Sequence, residues 1–83
     1  MKQEYLPVIV EQIKKMTDNS MNVSVDYYSL KSELSDISDE DINDVLLFLD
    51  DQRLFKKSNK HQYHGVTVIK NFSINSSFID KYQ

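Results

Sequence analysis

The chain has 83 residues, 40% of them hydrophobic, with nine aromatics, one Gly, one Pro and no Cys. That size limits it to one small domain around one core, burying only about 60 to 65% of the surface of its unfolded chain. The composition excludes a disulfide framework, a thiolate nucleophile and a thiolate-rich zinc site, and it lies outside the disordered and collagen-like classes. The net charge of −3 hides a strong segregation, for Met1 to Leu34 nets −1, Ser35 to Asp51 nets −7, Gln52 to Phe72 nets +5 and the remainder is neutral.

Tyr5, Leu6, Ile9, Val10, Ile13 and Met16 recur at helical spacing and predict an amphipathic helix from Glu4 to Met16. Pro7 falls in its first turn, where a missing amide costs least. The same apolar run, Leu6 to Val10, is broken by Pro7 and followed by Glu11, Lys14 and Lys15. It is too short for a signal peptide or a membrane span, so a soluble, unexported, cytoplasmic protein is expected. The chain contains no Ala and is rich in Asn, Lys, Ile, Ser and Tyr, a bias that points to an AT-rich genome such as that of a low-GC bacterium or its phage.

Thr17 to Ser20 reads as a polar stop, and Val23-Ser24-Val25 as a short edge strand. Asp26 is the expected N-cap of a brief second helix with Tyr27, Leu30 and Leu34 on its apolar side. Ser38 and Asp41 are spaced as a capping box, and Ile42, Val45, Leu46 and Leu49 form the stripe of a third helix ending near Arg53. Leu54 to Ser58 and Gly65 to Lys70 are β-prone, which predicts a hairpin with Asn59-Lys60 in or near its tip. Beyond Phe72 a tail, residues 73–83, is expected to fray or to hold a short helix around Ser77 to Tyr82.

Helix, short strand, helix, helix, hairpin is the element order of a winged helix. The span from Glu4 to Lys70 resembles the winged-helix superfamily, a helix-turn-helix variant, through "SDEDINDVLLFLDDQRLF" and "KKSNKHQYHGVTVIK". The resemblance implies an α+β, mainly α, domain over residues 1–72 with three helices, a short strand between the first two and a C-terminal hairpin as the wing. It also implies DNA binding and transcription regulation, with the third helix in the major groove.

The charge of that helix argues against such docking. Off its apolar stripe lie Asp39, Glu40, Asn43, Asp44, Leu47, Asp50 and Asp51. A carboxylate about 4 Å from a phosphate is repelled by roughly 1 kcal/mol in bulk water, and by more as water leaves. Asp39, Glu40 and Asp41 are explained by the positive end of the helix dipole, whereas Asp50 and Asp51 sit where the dipole disfavours acid. Glu40, Asn43, Asp44, Leu47, Asp50 and Asp51 are therefore candidates for binding a basic protein partner, or for imitating the charge of DNA.

The hairpin carries the opposite sign. Arg53, Lys56, Lys57, Lys60, His61, Tyr63 and His64 are the candidate nucleic-acid contacts, with Lys70 nearby, and winged helices of the regulatory-factor-X type use the wing in this way. Five phosphate contacts would give a log-log salt slope of about −4.5 on duplex DNA. The competing explanation is that lysines on a hairpin edge block edge-to-edge pairing. Tyr5, Tyr27 and Tyr28 sit at or beside apolar helical positions and are expected in the core or at its rim.

His61 and His64 lack a third ligand, and no phosphate loop or nucleophile elbow is present. Neither an enzyme nor a cofactor or metal requirement is expected. The resulting expectation is a non-enzymatic regulatory protein contacting nucleic acid through its wing, with a protein-binding adaptor as the alternative and a head-to-tail homodimer as a third arrangement. It rests on acid and base standing apart in three dimensions.

Overall fold

The computed structural model describes all 83 residues as an α+β domain. In chain order it comprises α1 (Tyr5–Thr17), β1 (Val25–Asp26), α2 (Tyr27–Glu33), α3 (Asp39–Asp51), β2 (Phe55–Tyr63), β3 (Val66–Ile74) and α4 (Ser76–Lys81). The sheet is antiparallel in the order β1-β3-β2. There are four helices rather than three, and no helix is long and apolar enough to cross a membrane.

Seventeen buried hydrophobic residues form one core. α1 contributes Ile9, Val10 and Ile13, α3 contributes Ile42, Val45, Leu46 and Leu49, and the sheet contributes Val25, Ile69, Phe72 and Ile74. The buried Thr17 hydroxyl donates to the Ile13 carbonyl at 2.9 Å, so the one polar side chain of this helix face is satisfied. α1 stops at Asp18, whose amide still donates to the Lys14 carbonyl while its left-handed backbone turns the following chain out of the helix.

β1 is two residues long because Asp26, still paired with Asn71 of β3, is also the N-cap of α2 and accepts from the Tyr28 amide at 3.1 Å. Ser38 caps α3 in the same way, through the Asp41 amide at 3.1 Å. The return half of the expected capping box is replaced by an ion pair, with the Asp41 carboxylate 3.5 Å from Lys2. α3 ends in a Schellman geometry, in which Leu54 N–H donates to Leu49 C=O and Arg53 N–H to Asp50 C=O. Arg53, at φ 60°, holds the left-handed position that glycine usually fills.

The hairpin departs from the sequence expectation. Asn59 and Lys60 lie inside β2, and the turn is His64-Gly65, with φ of 51° and 80°. Two consecutive positive φ values make the two-residue I′ connection whose twist matches the flanking strands, and the chain's only glycine supplies the second of them. The strands are therefore nine residues each, longer than their β-prone cores. The expected tail is also part of the fold, for Ile74 and Phe78 are fully buried and Asn75 caps α4 through the Phe78 amide. The Asn75 side-chain amide donates to the Arg53 carbonyl at 2.8 Å, tying α4 to the α3–β2 link.

Candidate functional site

The register of β2 and β3 decides which hairpin residues share a face. Ser58 and Lys60 both reach Asp50 of α3, the hydroxyl at 2.8 Å and the ammonium at 2.7 Å. Gln62 continues that face, donating to its cross-strand partner Thr67 at 2.7 Å. Side chains alternate along a strand, so Lys57, Asn59, His61 and Tyr63 point the other way, onto the sheet face turned from α3. The ring centroids of His61 and Tyr63 are 5.7 Å apart, as expected for neighbours two residues apart on one face.

This outer face bears a graded chemistry. At its root Lys56 and Lys57 border a groove of about 290 Å³ with Asn22, Ser24, Asn71 and Ser73, and no carboxylate lines it. At its tip His61, Tyr63 and His64 cluster, with Tyr63 opposite Val66 and both more than half exposed. No acidic residue occurs between Gln52 and Ile79.

The expected separation of charge is incomplete. Lys60 leaves the proposed contact set because it faces α3 and pairs with Asp50, which is thereby neutralised within the molecule. The Lys60 side chain keeps 47% of its surface in water, so the pair contributes about 0 to 1 kcal/mol. Lys70 lies at a bulge in β3 and lines a different groove, of about 510 Å³, beside Tyr27, Tyr28 and Lys31 of α2. The lysines thus divide into Lys56 and Lys57 at the root, Lys70 at the α2 side and Lys60 on the inner face.

The acidic set is also redistributed. Asn43 does not face outward to a partner. Its amide donates to the Thr67 carbonyl at 2.9 Å and its carbonyl accepts from the Ile69 amide at 3.2 Å. Those groups lie on the edge of β3 that the two-residue β1 leaves open, so Asn43 occupies the place of a neighbouring strand. Leu47 is half-buried against the core rather than projecting. Glu40 and Asp51 are exposed, and Asp44 and Asp51 rim a groove of about 480 Å³ with Leu47, Phe48 and Met1. Arg53 is exposed in the link between α3 and β2.

Of the tyrosines, Tyr5 and Tyr27 pack against the core, whereas Tyr28 is 78% exposed and stands edge-on to Tyr27. Tyr27 donates its hydroxyl to the Asp39 carboxylate. Partial burial, that hydrogen bond and the Asp39 charge together hold the Tyr27 phenol well above its ordinary value. The charge of Asp41 and its hydrogen bond hold the Lys2 ammonium above its ordinary pKa. Sequence reasoning missed Tyr28 and the Asn43 clamp, because both depend on where β1 stops.

Comparison of the chain with models of protein families, with curated proteins and with solved structures gives no match in any of the three.

Proposed function

We infer that the chain is a small winged-helix regulatory protein without enzymatic activity, which contacts nucleic acid through the outer face of its hairpin and keeps α3 away from the phosphates. The order of α1, β1, α2, α3 and the β2–β3 hairpin, with β1 beside β3, supports the winged-helix reading. The observation that carries the functional reading is the alternation along β2. Lys57, His61 and Tyr63 share the face turned from α3, while Lys60 faces α3 and is paired with Asp50 there. A polyanion approaching the outer face meets cations and rings without a carboxylate between them.

The test is a titration of labelled nucleic acid at two salt concentrations with wild type, Lys56→Glu/Lys57→Glu and Lys60→Glu. The double variant is expected to lose at least tenfold in affinity, and Lys60→Glu distinctly less. Equal affinity in wild type and the double variant would reject the face as the contact.

A second reading has an observation of its own. Asp44 and Asp51 rim a groove that Leu47, Phe48 and the Lys60–Asp50 ion pair also line, an arrangement that leaves two carboxylates beside apolar wall for a basic, partly apolar segment of a protein partner. On that reading no nucleic acid binds at physiological salt, and Asp44→Asn/Asp51→Asn abolishes capture of the partner.

A further inference from the structure

We propose that the nucleic acid taken by the outer hairpin face is single-stranded, with unpaired bases stacking on the rings of the tip and phosphates held by the lysines at the root. The proposal rests on the reading of that face given above and adds the class of ligand. Three observations point to it.

The first is the position of the rings. Tyr63 is 58% exposed and Tyr28 78%, which leaves two large ring surfaces in water. Aromatic rings bury more apolar area than most side chains, and a small domain gains from covering them. Phe55 and Phe72 show the alternative within this chain, stacked at 4.4 Å and 22° in the core.

The second is their geometry. His61, Tyr63 and His64 are tilted against one another, at 55° and 64°, with centroids 5.7 and 5.6 Å apart. Edge and tilted contacts leave π faces uncovered, and those faces are what a base stacks upon. In a duplex the faces of the bases are already covered by their neighbours, so exposed rings add little to duplex affinity, whereas every unpaired base offers a face.

The third is the division of labour along the strand. The tip residues His61, Tyr63 and His64 include no Lys or Arg, while Lys56 and Lys57 stand at the root. A hairpin contacting only duplex phosphates would be served by cations throughout its length. Rings in one part and cations in another match the two needs of an unpaired strand. Beyond β3, the groove of about 510 Å³ between Tyr28 and Lys70 continues the same outer surface, since Val68 and Asn71 line it. Asp26 and Asp39 also line it and accept only from neutral donors, the Tyr28 amide and the Tyr27 hydroxyl, which do not offset a carboxylate charge, so this groove is a weaker contact than the hairpin.

The experiment compares binding of wild type to labelled oligo-dT, oligo-U and a mixed-sequence duplex of equal length at one salt concentration, then repeats it with Tyr63→Leu and Tyr63→Phe. Circular dichroism of each variant checks that the exposed tip tolerates the change. The expected result is at least tenfold tighter binding of one or both single strands than of the duplex. Tyr63→Leu should lose about tenfold on the single strand alone, and Tyr63→Phe should restore it. Duplex binding equal to or tighter than both single strands, or a Tyr63→Leu variant as good as wild type, would overturn the single-strand proposal and leave the hairpin face as a duplex contact. Failure of wild type to bind any of the three would overturn the face itself.

Discussion

Asn43 is the side chain on which the position of the hairpin turns. A helix residue bonded to both Thr67 C=O and Ile69 N–H fixes α3 to the edge of β3 without a strand between them. Asn43→Ala leaves a partly buried donor and acceptor unpaired, and is expected to cost about 1 to 3 kcal/mol in urea denaturation. Asn43→Asp should be similarly harmful, since a carboxylate accepts from Ile69 but cannot donate to Thr67. Tyr27 makes a prediction of a different kind. Its phenol is held protonated in the folded chain at pH values where the unfolded chain releases the proton, so the folded state binds more protons there. Stability should therefore be whole below about pH 10 and fall as pH rises beyond it. Tyr27→Phe should flatten that alkaline decline in denaturation curves taken at pH 8 and 10.5. Lys2 and Tyr82 are shifted in the same direction and leave a residual slope.

At the scale of the element, the end of α3 and the turn of the hairpin are set by positive-φ residues. Arg53 takes the left-handed position of a Schellman motif, a conformation that costs a non-glycine residue about 1 to 2 kcal/mol. Arg53→Gly is expected to stabilise the domain by about 0.5 to 1 kcal/mol after the greater chain entropy of glycine is subtracted. That is a rise of a few degrees in Tm. The same variant measures whether Arg53 touches nucleic acid, since a phosphate contact would be lost while stability rose. The helices were legible in the sequence because their apolar residues repeat at helical spacing, and Ser38 and Asp26 mark their starts. The hairpin was less so. Residues Asn59 to Tyr63 are exposed on both faces, so no apolar alternation marks them as strand, and Asn59-Lys60 imitated a turn. Gly65 was the available signal, but the residue before it is His rather than the Asn, Asp or Gly that usually opens such a turn. The partition of the lysines followed from that register and was not legible without it.

For the whole molecule, the charge map is less polarised than the sequence suggests, and the difference can be counted. Of the five bases from Gln52 to Phe72, Lys60 is taken by Asp50, and Arg53 stands in the capped link between α3 and β2. On the proposed reading, Lys56, Lys57 and Lys70 remain as candidate phosphate contacts. Three contacts give an expected log-log salt slope of about −2.1 on a single strand or about −2.7 on a duplex, rather than about −4.5. Affinity measured from low to moderate salt checks the number, and a slope near zero would remove phosphate contacts from the account.

The most direct test is an amide chemical-shift map of the protein during titration with a short oligonucleotide. The largest changes are expected along Lys56, Lys57, His61, Tyr63 and His64, with weaker ones at Tyr28 and Lys70 and none at Glu40, Asp44 or Asp51. Changes concentrated on the exposed side of α3, with the hairpin silent, would contradict the hairpin contact.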